Sequence, residues 1–169
     1  MRGDMPLLDD RSIDFLSHSA EQTQRLGVRL GELLRPGHLL CLAGELGAGK
    51  TCFAAGVGRG WGALESVTSP TYVLVNEYHR ADGLTLYHVD GYRLNSAAEA
   101  ASIGLADLLA SAAALLVEWP ERVLPILPAE RLWLEFGYVD DTRRSLRLSA
   151  AGARYRALLA EFRRAAFGK

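Results

Sequence analysis

A single α/β domain with a mixed sheet follows from three observations. Short apolar runs alternate with amphipathic helical stripes, a glycine-rich octet separates one run from the helix after it, and two β-rich segments are joined by a tight turn. The chain has 169 residues, enough to bury a core without disulfide or metal staples. We read it as one domain over 1–169, with a core at about 17–150 and a C-terminal helix at about 151–167. A net charge of −1 gives no global pull toward DNA, RNA or a membrane surface. The two cysteines, Cys41 and Cys52, form no disulfide framework and fit a reducing cytosol. The first eleven residues lack a signal-peptide core, and no apolar stretch reaches membrane-spanning length, so the expectation is a cytoplasmic protein.

Taken in order, residues 17–34 carry a helical stripe of Leu26, Leu30, Leu33 and Leu34. Ser19-Ala20-Glu21-Gln22 opens it in the form of a capping box. Leu39-Leu40-Cys41-Leu42-Ala43 follows Pro36-Gly37 and reads as a buried parallel strand. Residues 51–58 continue as a helix, weakened by its glycines and ending near Gly60-Trp61-Gly62. Residues 72–78 and 84–90 are strand-like and joined by the turn Arg80-Ala81-Asp82-Gly83, an antiparallel hairpin. Residues 97–109 are helical with a break at Gly104. The apolar run 113–117, ending in Glu118-Trp119-Pro120, reads as a second buried strand, while 131–138 alternates and 145–148 is a weaker strand. The last helix, from about 151, presents Tyr155, Leu158, Leu159 and Phe162 on one face, and its arginines 154, 156, 163 and 164 form a solvated face.

Gly44-Glu45-Leu46-Gly47-Ala48-Gly49-Lys50-Thr51 lies between the first buried strand and its helix and matches G-x-x-x-x-G-K-[ST], the phosphate-binding P-loop. Of the 19 basic residues, only Lys50 and Lys169 are lysines. A slim ammonium can thread a ring of backbone amides that would exclude a forked guanidinium. Strand before and helix after supply the required context, and the helix N-terminus adds its positive end. The predicted fold class is a P-loop NTPase, three-layered, with a mixed, mainly parallel central sheet and an antiparallel hairpin. The implied ligand is a nucleoside triphosphate with Mg²⁺. Lys50 would meet the β- and γ-phosphates, and the backbone around Gly47, Ala48, Gly49, Thr51 and Cys52 would cradle them.

Such a loop needs acidic support, because Thr51 brings one Mg²⁺ ligand and a strand-end carboxylate usually assists. Glu118 follows a purely apolar run and Asp90 closes His88-Val89-Asp90-Gly91-Tyr92-Arg93, so either carboxylate can serve the metal. Thr68-Ser69-Pro70-Thr71-Tyr72 occupies the place of a γ-phosphate-sensing loop, with hydroxyls at Thr68, Ser69 and Thr71. Trp119 is placed to stack on a base or to sit against the nucleotide. Arg93, Arg143 and Arg144 can steady phosphate charge, though spacing singles out none of them. His18, His38, His79 and His88 show no metal-ligand spacing.

Four segments stand together in order: residues 44–51, Ser69-Pro70-Thr71-Tyr72-Val73-Leu74-Val75, His88-Val89-Asp90-Gly91-Tyr92-Arg93-Leu94, and Glu118-Trp119-Pro120-Glu121. This set resembles the bacterial TsaE (YjeE) family over about residues 19–138. Those small ATPases are needed to make N6-threonylcarbamoyladenosine (t6A) at adenosine 37 of tRNAs reading ANN codons. The resemblance implies ATP or ADP held by Lys50 and the amides of residues 47–51, and Mg²⁺ on Thr51 and Glu118. It places Asp90 near the γ-phosphate as a catalytic group, residues 69–72 in a switch-like loop with Thr71 acting there, and Trp119 near the nucleotide. Adenine would lie near the N-terminal helix start, with Ser19, Glu21 and Thr23 as candidates. The implied partner is the TsaB–TsaD complex, with tRNA met through it, and ATP hydrolysis resets that complex between turnovers. Gly91 departs from the pattern, since a bulkier residue is usual there, and the expectation is a looser Asp90 loop.

No arginine finger is evident, so turnover without partners is expected to be slow, by ~10³ or more. The alternative reading is a P-loop small-molecule kinase, which would need an Arg-rich lid that the sequence does not offer. A GTP-driven switch is a third reading, but an Asn-Lys-x-Asp guanine-reading tetrad is absent.

Overall fold

The computed structural model describes residues 9–65 and 74–168. In chain order the elements are β1 (Ser12–Ser17), α1 (Ala20–Leu33), β2 (Leu39–Gly44), α2 (Lys50–Trp61), β3 (Val75–His79), β4 (Thr85–Asp90), α3 (Ala97–Ser102), α4 (Leu105–Ala110) and β5 (Ala114–Glu118). Two 3₁₀ turns, Pro120–Arg122 and Leu124–Ile126, lead to β6 (Arg131–Tyr138), β7 (Arg144–Ala151) and α5 (Ala153–Phe167). One seven-stranded sheet has the order β1-β7-β6-β2-β5-β4-β3. Its centre, β6-β2-β5-β4, is parallel, and antiparallel strands flank it on both sides. The segment Thr68 to Tyr72, including Thr71, lies outside the described residues.

The central strands explain the apolar runs. All of β5 and the first five residues of β2 are buried, as expected for parallel strands covered on both faces. Ser19 caps α1 through its hydroxyl, which accepts the Gln22 amide at 3.0 Å, and Gln22 Oε1 accepts the His18 amide at 2.7 Å. The reciprocal bond of the expected capping box therefore falls one residue earlier than the box prescribes. Gly104, at φ 74°, separates α3 from α4 at the break expected there. β7 runs to Ala151, so the last helix begins at Ala153 and not at 151.

β1 has no counterpart in the sequence reading. It is an edge strand paired with β7, residues far away along the chain, with Phe15 turned onto the Phe162 and Phe167 rings of α5. α5 is tied to the sheet by polar contacts as well as by its apolar face. The Leu39 amide donates to the Tyr155 hydroxyl at 2.8 Å, and Arg154 and Arg163 donate to the backbone carbonyls of Pro36, Asp9 and Ser12. Two of the four arginines read as a solvated face thus fasten the helix to the start of β2 and to the chain before β1. Among the described residues, no helix is long and apolar enough to cross a membrane.

The glycines that weaken α2 in isolation have a packing reason. Gly27 and Gly31 on α1 face Gly56 and Gly60 on α2, so the two backbones lie against each other. A Cβ at Gly27 would come within 2.3 Å of the Phe53 carbonyl oxygen, and one at Gly56 within 2.1 Å of the Gln24 carbonyl oxygen. Gly56→Ala should therefore destabilise the protein by about 1–3 kcal/mol, against the roughly 1 kcal/mol gain that Ala brings in an ordinary helix, as read by urea denaturation.

His38, only 4% exposed, accepts the Arg35 amide on Nδ1 at 2.9 Å. Burial, with the Arg154 and Arg35 charges, pulls its pKa from 6.5 down to about 4. Between those values the unfolded chain binds a proton that the folded chain refuses. Its contribution is therefore complete above pH 6.5 and lost as pH falls through about 4. Denaturation midpoints measured across that window should fall with acidification, with a slope approaching ~1.4 kcal/mol per pH unit from this group. The component should vanish in His38→Gln.

Candidate functional site at the ends of the parallel strands

The glycine-rich loop leaves the C-terminal end of β2 and runs directly into α2. Gly44, Gly47 and Gly49 have φ values of 142°, 79° and 101°, all in the positive region that side chains disfavour. At Gly44 the constraint is also spatial, because a Cβ would lie 2.5 Å from the Phe136 carbonyl oxygen on β6. The loop is thereby wrapped around the first amides of α2, a helix N-terminus suited to an anion.

Lys50, the first residue of α2, is 6% exposed. Its ammonium donates to the Gly44 carbonyl and to the Glu45 carbonyl at 2.9 Å, and lies 4.2 Å from the centre of the Trp119 ring. Burial lowers its pKa, while the carboxylates of Glu118, Glu121, Asp90 and Glu45 oppose that shift and favour the charged form. The cation is thus held at the focus of the strand-end acids by groups that carry no full charge themselves.

Asp90 and Glu118 are opposite one another at the ends of adjacent parallel strands, and Glu118 also pairs with Leu42 of β2. Both acids read from the sequence therefore border the loop. Asp90 is half-buried and its Oδ1 accepts the Tyr92 amide at 2.9 Å, which fixes the carboxylate in an Asx turn. Glu118 is 4% exposed and its Oε2 lies 3.2 Å from Nε2 of the buried His88. That approach lacks hydrogen-bond geometry, and neither ring nitrogen of His88 has a hydrogen-bond partner. His88 carries no metal-ligand spacing in the sequence. Its i+2 relation to Asp90, on the same strand face, is the signal that would have found it.

Trp119, at φ 56°, is the sole positive-φ residue other than glycine among the described residues. The kink turns its ring over Lys50 and against Tyr92, whose ring centre is 5.0 Å away. Gly91 makes the kink possible. Its amide donates to the Glu118 carbonyl at 2.8 Å, and a Cβ would lie 2.7 Å from the Trp119 carbonyl oxygen. The expected loosening at Gly91 is therefore reversed, because lacking a side chain lets the Asp90 loop close onto the β5 end.

A cavity of about 270 Å³ opens on the other side of the loop, lined by Ser19, Thr23, Gly49, Cys52, Thr142 and Arg144 among others. Thr23 and Cys52, named from the sequence for different parts of a nucleotide, line this one cavity. Their polar atoms are already engaged, however. The Thr23 hydroxyl bonds to Ser17 Oγ at 2.6 Å and to the Ser19 carbonyl, and the Cys52 thiol donates to the Ala20 carbonyl at 3.0 Å. Burial and the Glu21 carboxylate push the Cys52 thiol pKa up, so it stays protonated. The turn between β6 and β7 supplies the remaining wall, a role with no local sequence signature. Among the described residues there is no cluster of three His, Cys, Asp or Glu side chains that would hold a metal by themselves. The oxygen set of Thr51, Asp90 and Glu118 instead suits a hard cation completed by ligand and water oxygens.

Comparison with known proteins converges on one family. Residues 17–146 match the family model described as threonylcarbamoyl adenosine biosynthesis protein TsaE, a span that holds the loop, both acids and Trp119 but stops before α5. The chain is similar to the tRNA threonylcarbamoyladenosine biosynthesis protein TsaE of Treponema pallidum, 39% identical over 131 residues that cover 78% of this chain and 96% of that one. Its similarity to the Bacillus subtilis protein of the same name is 37% over 145 residues, covering 85% and 89%. The crystal structure of Bacillus subtilis YdiB superposes with a TM-score of 0.76 at 32% identity, covering 91% of this chain and 95% of that one.

The contact between Lys50 and Trp119 has a direct readout. Withdrawal of the ammonium by a bound polyphosphate should change Trp119 emission in a Trp61→Phe, Trp133→Phe background, and Lys50→Ala should abolish the change.

Proposed function

The chain belongs to the TsaE family, and on that premise we propose that it is a Mg²⁺-dependent P-loop ATPase serving threonylcarbamoylation of adenosine 37 in tRNA. It would act in the cytoplasm on a TsaB–TsaD complex and meet tRNA through that complex. The observation that carries the reading is Lys50, a buried cation at the mouth of a glycine-rich loop, faced by carboxylates from two neighbouring parallel strands.

The chemistry follows from that arrangement. A triphosphate entering the loop offers Lys50 anionic oxygens in place of two carbonyls and a ring face, and charge-assisted hydrogen bonds are about twice as strong as neutral ones. The amides of residues 47–52 at the head of α2 would receive the phosphates. Thr51 and Glu118 would hold Mg²⁺, which when bound neutralises charge on the phosphate oxygens. Asp90, already fixed by the Tyr92 amide, would orient the attacking water and accept its hydrogen bond. The cavity beside Gly49 and Cys52 would take the adenine, with Thr23 offering its methyl group because its hydroxyl is engaged. Trp119 would pack against the nucleotide near Lys50. Thr71, in the switch-like segment, keeps its proposed γ-phosphate role.

ATP hydrolysis measured with and without TsaB–TsaD and tRNA tests this reading. The isolated protein should turn over slowly and accelerate with the complex. Asp90→Ala and Glu118→Ala should each lower the stimulated rate about a hundredfold or more, with Glu118→Ala also raising the Mg²⁺ requirement. A rate indifferent to the complex, with no modified tRNA formed, would remove the assigned function while leaving the nucleotide site standing.

A further inference from the structure

Arg144 opens β7 and sits where three walls meet. Its backbone is opposite Tyr138 on one side and Ser17 on the other, and Ser17 is joined through Thr23 to the start of α1. Its side chain crosses to the glycine-rich loop, where Nε donates to the Gly47 carbonyl at 3.1 Å. Nη1 donates to the Asp140 and Arg143 carbonyls at 2.5 and 2.9 Å, and the guanidinium carbon lies 4.6 Å from the Tyr138 ring centre.

Every hydrogen-bond partner of this guanidinium is a neutral carbonyl. Its neighbours differ. Arg143 is paired with Asp140 at 2.7 Å, in a turn whose hydrogen bonds from Arg143 and Thr142 hold the Asp140 carboxyl down at about 2, and Arg147 reaches Asp14 at 3.5 Å. Asp141 takes its hydrogen bond from the Tyr138 hydroxyl at 2.8 Å. Among the described residues Arg144 forms no ion pair, although it shares the lining of the cavity next to the loop with Asp141, whose carboxylate is taken up by Tyr138. A half-buried cation held by carbonyl oxygens alone keeps most of its charge for an incoming anion.

Its location decides which part of a ligand it meets. Lys50 stands on the Trp119 side with Asp90 and Glu118, where the terminal phosphates would lie. Arg144 stands on the cavity side, beside Gly47 and Gly49. A nucleotide running from cavity to loop passes Arg144 at its base-proximal end. Resting on the nucleotide-site reading above, the geometry points to Arg144 as a positioning residue that grips the nucleoside-monophosphate part of the ligand. It makes the site select nucleotides over bare polyphosphate, and it takes no part in stabilising γ-phosphoryl transfer.

Binding of ATP, ADP and inorganic tripolyphosphate to the full chain, by calorimetry or by competition with a fluorescent ATP analogue, tests the assignment in Arg144→Ala and Arg144→Lys. Arg144→Ala should weaken ATP and ADP alike by about tenfold or more, change tripolyphosphate binding by less than about twofold, and raise the KM for ATP by far more than it lowers kcat. Arg144→Lys should recover part of the nucleotide affinity and also serves if the alanine variant folds poorly. An equal loss for tripolyphosphate would show that Arg144 merely braces the Gly47 carbonyl. A lower kcat with KM preserved would make it a transition-state group. Either result overturns the proposal. If Lys50→Ala left ATP binding intact, the nucleotide-site reading itself would fall.

Discussion

The close backbone contact between α1 and α2 is the constraint on which the functional end of the molecule depends. Glycines on both helices remove the side chains that would hold them apart, and at Gly56 the gap is too small even for a methyl group. The consequence is positional. α2 starts at Lys50, and α1 starts at Ser19, Ala20 and Thr23, so bringing the helices together places the start of α1 alongside Gly49 and Cys52. The cavity beside the loop is the space left between the two helix starts and the β6–β7 turn. A wider helix pair would leave the loop intact and open that cavity to solvent.

The second organising effect is electrostatic. Parallel strands end at the same edge of the sheet, so residues that close neighbouring strands become neighbours without special design. Asp90 and Glu118 meet in this way, and the loop leaving β2 carries Lys50 to the same edge. The acids favour the charged lysine while burial disfavours it, and the balance leaves a cation bound only by loop carbonyls and an indole face. Such a group is ready to exchange partners. Arg144 repeats the principle across the loop, which gives the site a cation on either side of the path a nucleotide would follow.

The Trp119 kink shows how a single local departure serves the whole edge. A tryptophan in the left-handed region is costly, of order 1–3 kcal/mol, and persists only when its surroundings hold it there. Here Gly91 lies under the kink and Pro120 follows it, so the Asp90 loop, the β5 end and the Lys50 side chain are locked together.

The octet 44–51, the buried runs of β2 and β5, the hairpin around Gly83 and the two strand-end acids were legible because their signals are local. Glycine spacing, unbroken apolar runs and a carboxylate at the end of a run depend on backbone geometry within a few residues. They were sufficient to read a mixed α/β fold and the strand-end groups that gather at one edge of its sheet. β1 was not legible, since a six-residue edge strand has meaning only through β7, which lies far along the chain. Nor were the helix-facing glycines of α2, the pairing of His88 with Glu118, the tight seat of Gly91 or the approach of Arg144 to Gly47. Each depends on a backbone from elsewhere coming within contact distance. What the sequence determined by itself is the glycine-rich loop, its lysine and the acids that close two buried strands; which groups share a wall, and which arginine rests on carbonyl oxygens, was decided only when helix packing and strand order brought distant residues together.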